Sequence, residues 1–159
     1  MPEHCGLWVW VALPALGLDK RRNTQMANYK IGVAGYCAQG FNHEDARNQL
    51  RQFIKNHPEH DLTIVSGLSD MGVLGIAYRL ADEYGMWTVG IAAGKAKGAD
   101  NLYPCDEVYF VGKNWGDESL FFLGKIDELV AYEGGEQTKR EVALAKELGI
   151  KVTELSYGK

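Results

Sequence analysis

Beyond the triplet at 20–22, lysine and arginine do not cluster in this chain, and the net charge is -4. A nucleic-acid-binding face needs clustered cations, so the pattern argues against one. It leaves open a small anion held by backbone N–H groups. Cysteine is scarce: Cys5, Cys37 and Cys105 are odd in number, far apart, and form no C-x-x-C pair. Neither a disulfide framework nor a zinc site is indicated, and a reducing, cytoplasmic setting is the default. His57 and His60 flank a Pro-Glu pair and read as a polar helix-to-strand loop rather than a metal site. No metal or cofactor is called for. No apolar run reaches the roughly 20 residues that a spanning helix needs, so no membrane partner is expected. There is no internal repeat, linker or low-complexity tract.

The first 27 residues differ from the rest. Residues 5–18 are apolar, with Trp8, Trp10 and Pro14, and Lys20, Arg21 and Arg22 follow. A signal peptide carries its positive charge before the apolar run, not after it. Residues 1–27 are therefore expected to be a leader or non-native extension, with Met26 as the natural start. Residues 28–159 are expected to form one domain, a size that allows a substantial core.

Within that domain, strand and helix patterns alternate. Apolar runs at 29–34, 61–65, 86–91, 106–111, 127–132 and 151–155 read as strands. Residues 43–56, 72–84, 118–125 and 138–148 carry helical spacing, with Ala46, Leu50, Phe53 and Ile54 on one face of the first. Strands separated by helices need crossover connections, hence a parallel sheet covered on both sides. The expected fold is α/β, a Rossmann-like doubly wound parallel sheet with helices on both faces. In such sheets ligands bind beyond the carboxyl ends of the strands. The loop at 92–104 is either a lid or a plain surface loop.

Glycine is abundant, 19 of 159 residues, against a usual share of about 7%. It collects at strand ends: G-Y-C-A-Q-G at 35–40, S-G-L-S-D-M-G-V-L-G at 66–75, and E-G-G-E-Q-T-K-R-E at 133–141. Helix N-termini favour anions through unpaired donors and the helix dipole, and glycine lets a ligand come close. Gly35, Ser66, Gly67, Asp70, Met71, Gly72, Gly134, Gly135 and Thr138 are thus candidate ligand contacts, for a phosphate-bearing ligand. Thr138 and Glu141 also fit a capping box, in which each side chain accepts from the other's backbone N–H. That explains the pair but not the two glycines before it. Likewise, Asp117 fits a helix N-cap with Glu118 in the first turn.

These motifs resemble the SLOG superfamily, which joins the LONELY GUY (LOG) nucleoside-monophosphate phosphoribohydrolases, the lysine decarboxylase-like proteins and the Smf/DprA proteins. Its signature P-G-G-x-G-T-x-x-E matches Gly134, Gly135, Thr138 and Glu141; Glu133 and Gln137 replace the proline and the third glycine. Its upstream turn, similar to G-G-G-x-x-G-L-M-G, looks like residues 66–75. The resemblance spans residues 30–155. It implies a nucleotide or nucleotide-derived ligand and a homo-oligomer, for which Phe121 and Phe122 on the short helix offer an exposed aromatic surface. It also implies that Glu141 acts near the ribose anomeric carbon, with Asp70 or Glu118 positioning water or ribose and Trp115 stacking on a base. The family's Arg-Lys pair falls on Glu118 and Ser119, which carry no positive charge. That departure favours binding without turnover; the alternative is an N-glycosidase-type hydrolase cleaving at ribose C1 with Glu141 essential.

Overall fold

The computed structural model describes residues 9–12, 28–38 and 40–158. Strand β2 (Tyr29–Gly35) leads into helix α1 (His43–Lys55), then β3 (Leu62–Ser66) and α2 (Gly72–Glu83). Next come β4 (Trp87–Ala93), a single 3₁₀ turn at Gly94–Ala96, and β5 (Glu107–Val111). The short α3 (Ser119–Gly124), β6 (Glu128–Tyr132), α4 (Glu136–Glu147) and β7 (Lys151–Leu155) complete the domain. One further strand, β1 (Val9–Ala12), precedes them.

The sheet order is β1-β5-β4-β3-β2-β6-β7. Strands β2 to β7 are mutually parallel, as the strand–helix alternation requires. β1 pairs antiparallel with β5, Trp10 facing Phe110. The segment read from sequence as a leader therefore adds an edge strand, and the rest of residues 1–27 lies outside the described residues. Cβ alternation along the strands divides the core in two. Ile31, Val33, Ile64 and Val130 pack under α1 and α2, with Leu50 and Val73. Ala34, Val65, Ile91 and Leu129 pack under α3 and α4, with Phe122 and Val142. Both faces are covered, which is why β3 and β6 are buried from end to end. Each fully buried aliphatic side chain contributes about 1.5–3 kcal/mol.

The aromatic surface expected on α3 is absent. Phe122 is core, and Phe121 is half-buried with its ring 5.3 Å from that of Tyr109. Residues 119–124 make fewer than two helical turns, so α3 lies down on the sheet and turns both aromatics inward. Its exposed apolar residue is Leu120.

Candidate functional site

The chain runs outward from β2 through β3 and β4 to β5, then returns to place β6 on the other side of β2. The switch point therefore lies between the carboxyl ends of β2 and β6, where such sheets open a crevice. A cavity of about 500 Å³ occupies this position. That is within the range of small-molecule sites. Its floor is Val33 to Cys37; its walls come from the β3–α2 turn, the 94–104 segment, α3 and the start of α4.

Of the residues singled out in the sequence, Gly35, Ser66, Gly67, Met71, Trp115, Glu118, Gly135, Thr138 and Glu141 line this cavity. Asp70, Gly72 and Gly134 do not. The Asp70 carboxylate pairs with Arg79 at 2.7 Å, which ties it to α2. Gly72 has φ +63, and a Cβ there would overlap the Tyr36 carbonyl oxygen. Gly134 has φ +120, and its Cβ would lie 2.5 Å from that of Thr138. Gly72 lets the β3–α2 turn approach the loop after β2, and Gly134 lets the chain fold back onto Thr138 of α4, so both shape the cavity from behind.

The capping box is overturned. Helix α4 begins at Glu136 with Gly135 as N-cap and no side-chain cap. Thr138 is already in the first turn, and Glu141 one turn further on. Asp117 is not an N-cap either: its Oδ2 accepts from the backbone N–H groups of Lys113 (2.9 Å) and Asn114 (2.8 Å), closing the loop that carries Trp115. Of the three long helices, α1 is capped, with Asn42 Oδ1 accepting from Asp45 N at 2.8 Å. α2 and α4, whose N-termini meet the cavity, have no side-chain cap. The Val73 N–H of α2 is taken by the Tyr36 carbonyl at 2.8 Å. The start of α4 is thus the better-placed anion seat, through free N–H groups and the dipole.

Freed from the cap, Glu141 turns toward α3. Its Oε2 accepts from Ser119 Oγ (2.8 Å) and from Gln137 Nε2 (3.2 Å). The same Gln137 nitrogen donates to Glu118 Oε2 at 3.1 Å, and Glu118 Oε1 accepts from Gly116 N at 3.0 Å. Glu118 and Glu141 are 7% and 8% exposed. Burial pushes the Glu141 pKa above its ordinary 4.5; the Ser119 and Gln137 hydrogen bonds pull it back, and the Glu118 charge adds to the rise. Among the described residues no Lys, Arg or His lines the cavity. Trp115 stands at its rim, 61% exposed. Among the described residues no cluster could hold a metal ion.

Sequence reasoning missed Gln137, Tyr36, Phe122 and the Asn101–Leu102 pair as cavity residues, and Ser119 as the partner of Glu141. Gln137 had a signal, since it replaces a glycine of the resembled signature. The 94–104 segment is a wall rather than a free loop. Leu102 forms an antiparallel bridge with Ser69, Asp70 N donates to Asn101 O at 2.8 Å, and Tyr103 N to Leu68 O at 2.8 Å.

Fold and site together define a Rossmann-like α/β protein with a ligand-sized cavity at its switch point. No protein-family model matches the chain, and no curated protein matches it in sequence. Its fold is similar to that of the molybdenum cofactor binding protein from the phototrophic bacterium Rippkaea orientalis, at 22% identity and TM-score 0.68, over 82% of this chain and 78% of that one. The Moco carrier protein from Chlamydomonas reinhardtii is similar over the same shares, at 24% identity and TM-score 0.65. At these identities the likeness establishes the fold. No helix among the described residues is long and apolar enough to cross a membrane.

Proposed function

We propose that this protein is a SLOG-type carrier that binds a phosphorylated heterocycle, a nucleotide or the molybdenum cofactor, in the switch-point cavity and releases it unchanged. One observation carries the reading: the cavity pairs an uncapped helix N-terminus with a largely apolar interior whose carboxylates are already hydrogen-bonded within the protein. A phosphate fits the N–H groups of α4 at Gly135 to Thr138, and a flat ring fits the apolar walls and Trp115. The molybdenum cofactor and a nucleotide share this chemistry, a fused heterocycle linked to a phosphate. The two similar structures named for that cofactor support a carrier. A cytoplasmic setting and a homo-oligomer belong to the same reading; sedimentation showing only monomer at micromolar concentration would remove the second.

A second reading has a specific observation behind it. Glu141 is a buried carboxylate with a raised pKa, beside a second buried carboxylate, at an open cavity. Such pairs serve glycosidic-bond cleavage, one group stabilising the oxocarbenium-like centre and the other handling water. Incubating the protein with nucleoside monophosphates, NAD, cyclic dinucleotides, N6-substituted AMP and molybdenum cofactor, followed by mass spectrometry, separates the two. Retention of an intact ligand supports the carrier. Release of a free base, abolished in Glu141→Ala, makes the protein an enzyme.

A further inference from the structure

Within the carrier reading, the acidic end of the cavity has a specific selectivity. Among the described residues its lining has two nine-tenths-buried carboxylates and no Lys, Arg or His; Arg140, outside the lining, is close enough to Glu141 to favour its charged form. The protein uses both oxygens of Glu118, through Gly116 N and Gln137 Nε2. It uses only one oxygen of Glu141: Oε2 takes both the Ser119 and Gln137 bonds, and Oε1 has no protein partner. That oxygen stays accessible beside the cavity, where a ligand N–H can take it in place of water. Ser119 and Gln137 also hold the carboxylate in one orientation, so its free oxygen is fixed in the cavity wall.

The surroundings decide between a sugar and a ring. Ala34, Ile91 and Phe122 belong to the same side of the sheet as α3 and α4, and all three line the cavity. A sugar presents hydroxyls in several directions, and this apolar wall leaves most of them unpaired. A flat ring buries its faces there and keeps its polar atoms on one edge. That edge has to be donor-rich, because carboxylates offer only acceptors. The edge of adenine places an acceptor nitrogen beside its amino group, and that acceptor would face a carboxylate. The 2-amino-6-oxo edge of guanine and the equivalent 2-amino-4-oxo edge of pterins place two N–H donors side by side.

We infer that Glu141, held by Ser119 and Gln137, is a specificity-determining residue that selects heterocycles with the amino-oxo edge of guanine and pterins over adenine-type rings. The ring binds with that edge on Glu141 Oε1 and with Trp115 closing over it from the rim. Glu118, fixed by the same Gln137 nitrogen, adds acceptor capacity beside it.

The test is calorimetric titration of the full chain with GMP, IMP, AMP and a pterin phosphate. GMP and the pterin phosphate are expected to bind at least about tenfold more tightly than AMP, with IMP between them because it lacks the amino donor. Glu141→Gln is expected to reduce the GMP-to-AMP ratio to below about threefold while AMP affinity is kept. If that variant fails to fold by circular dichroism, Glu141→Asp replaces it, since it withdraws the carboxylate by one methylene and is expected to lower the same ratio. AMP binding as tightly as GMP, or an unchanged ratio in the folded variant, overturns the inference and leaves the carrier reading standing. Binding of none of the four phosphates overturns the inference, and the wider mass-spectrometric panel then decides the carrier reading separately.

Discussion

The two ends of the sheet each bury a carboxylate, and they treat it differently. At the amino end, Glu128 opens β6 and is 1% exposed. Its Oε1 accepts from Tyr29 OH at 3.1 Å and lies 3.0 Å from His57 Nε2. The Glu59 N–H donates to His57 Nδ1, so Nε2 carries the proton toward Glu128. Lys151 Nζ is 4.0 Å from Oε2. Burial and the Glu128 contact push the Tyr29 pKa up to about 12. At the carboxyl end, Glu141 has one oxygen bound and one facing a cavity. A carboxylate enclosed by its own protein is part of the architecture; one held in place with an oxygen unpaired is available to something else.

The comparison breaks most visibly at Glu128. Glu128→Ala leaves His57 and Tyr29 buried without their acceptor, and should lose about 3–5 kcal/mol of stability in urea unfolding. Loss below about 1 kcal/mol would mean that the two ends are not built differently. Gly72→Ala should come next, with a loss of about 1–3 kcal/mol from its left-handed backbone and the overlap with Tyr36. Thermal melts would check it, and unchanged stability would show that the two cavity-backing loops can move apart.

Glu141 sharpens the comparison through pH. Its folded pKa is raised above 4.5, mainly by burial. The folded state therefore holds this proton more tightly than the unfolded chain. The associated stability is fully present below pH 4.5 and is lost as pH rises through the raised folded value. Glu141→Gln removes that dependence, so its stability relative to the native protein should improve as pH rises from 4.5. A difference that is flat with pH would place Glu141 in a fully solvated setting. The smallest effect is expected from starting the chain at Met26. That protein loses β1 but keeps the six parallel strands, and should remain folded and soluble by circular dichroism and sedimentation. Aggregation would show that the β5 edge needs its cover.

The parallel sheet was legible because both of its faces are buried. Continuous apolar strands such as β3 and β6, separated by helical patterns, permit few other arrangements. The cavity was legible as a set of strand ends, and its residues at Gly35, Ser66, Gly67 and Gly135 follow from that. Side-chain direction was not legible. Thr-x-x-Glu fits a capping box equally well whether the helix begins at Thr138 or two residues earlier, and only the start at Glu136 sends Glu141 toward Ser119. Asp70 looked equivalent to Glu118 in sequence, but Arg79 lies on the helix that follows it and claims its charge. Phe121 and Phe122 were misread because exposure on a six-residue helix depends on how the helix lies on the sheet.

The bridge between Ser69 and Leu102 has a kinetic consequence. The 94–104 wall is fastened to the β3–α2 turn by a few backbone hydrogen bonds, and to α2 by the Tyr103 hydroxyl on Asp82. Its own packing is small, Tyr103 stacked on Tyr78 and Ala96 and Leu102 beside Leu68, so its opening is expected to cost less than global unfolding and to set the residence time of any ligand in the cavity. On the proposed carrier reading, such a chain combines a stable sheet with quick release of its ligand. The amides of Asp70 and Tyr103 are the hydrogen-exchange reporters of that clock.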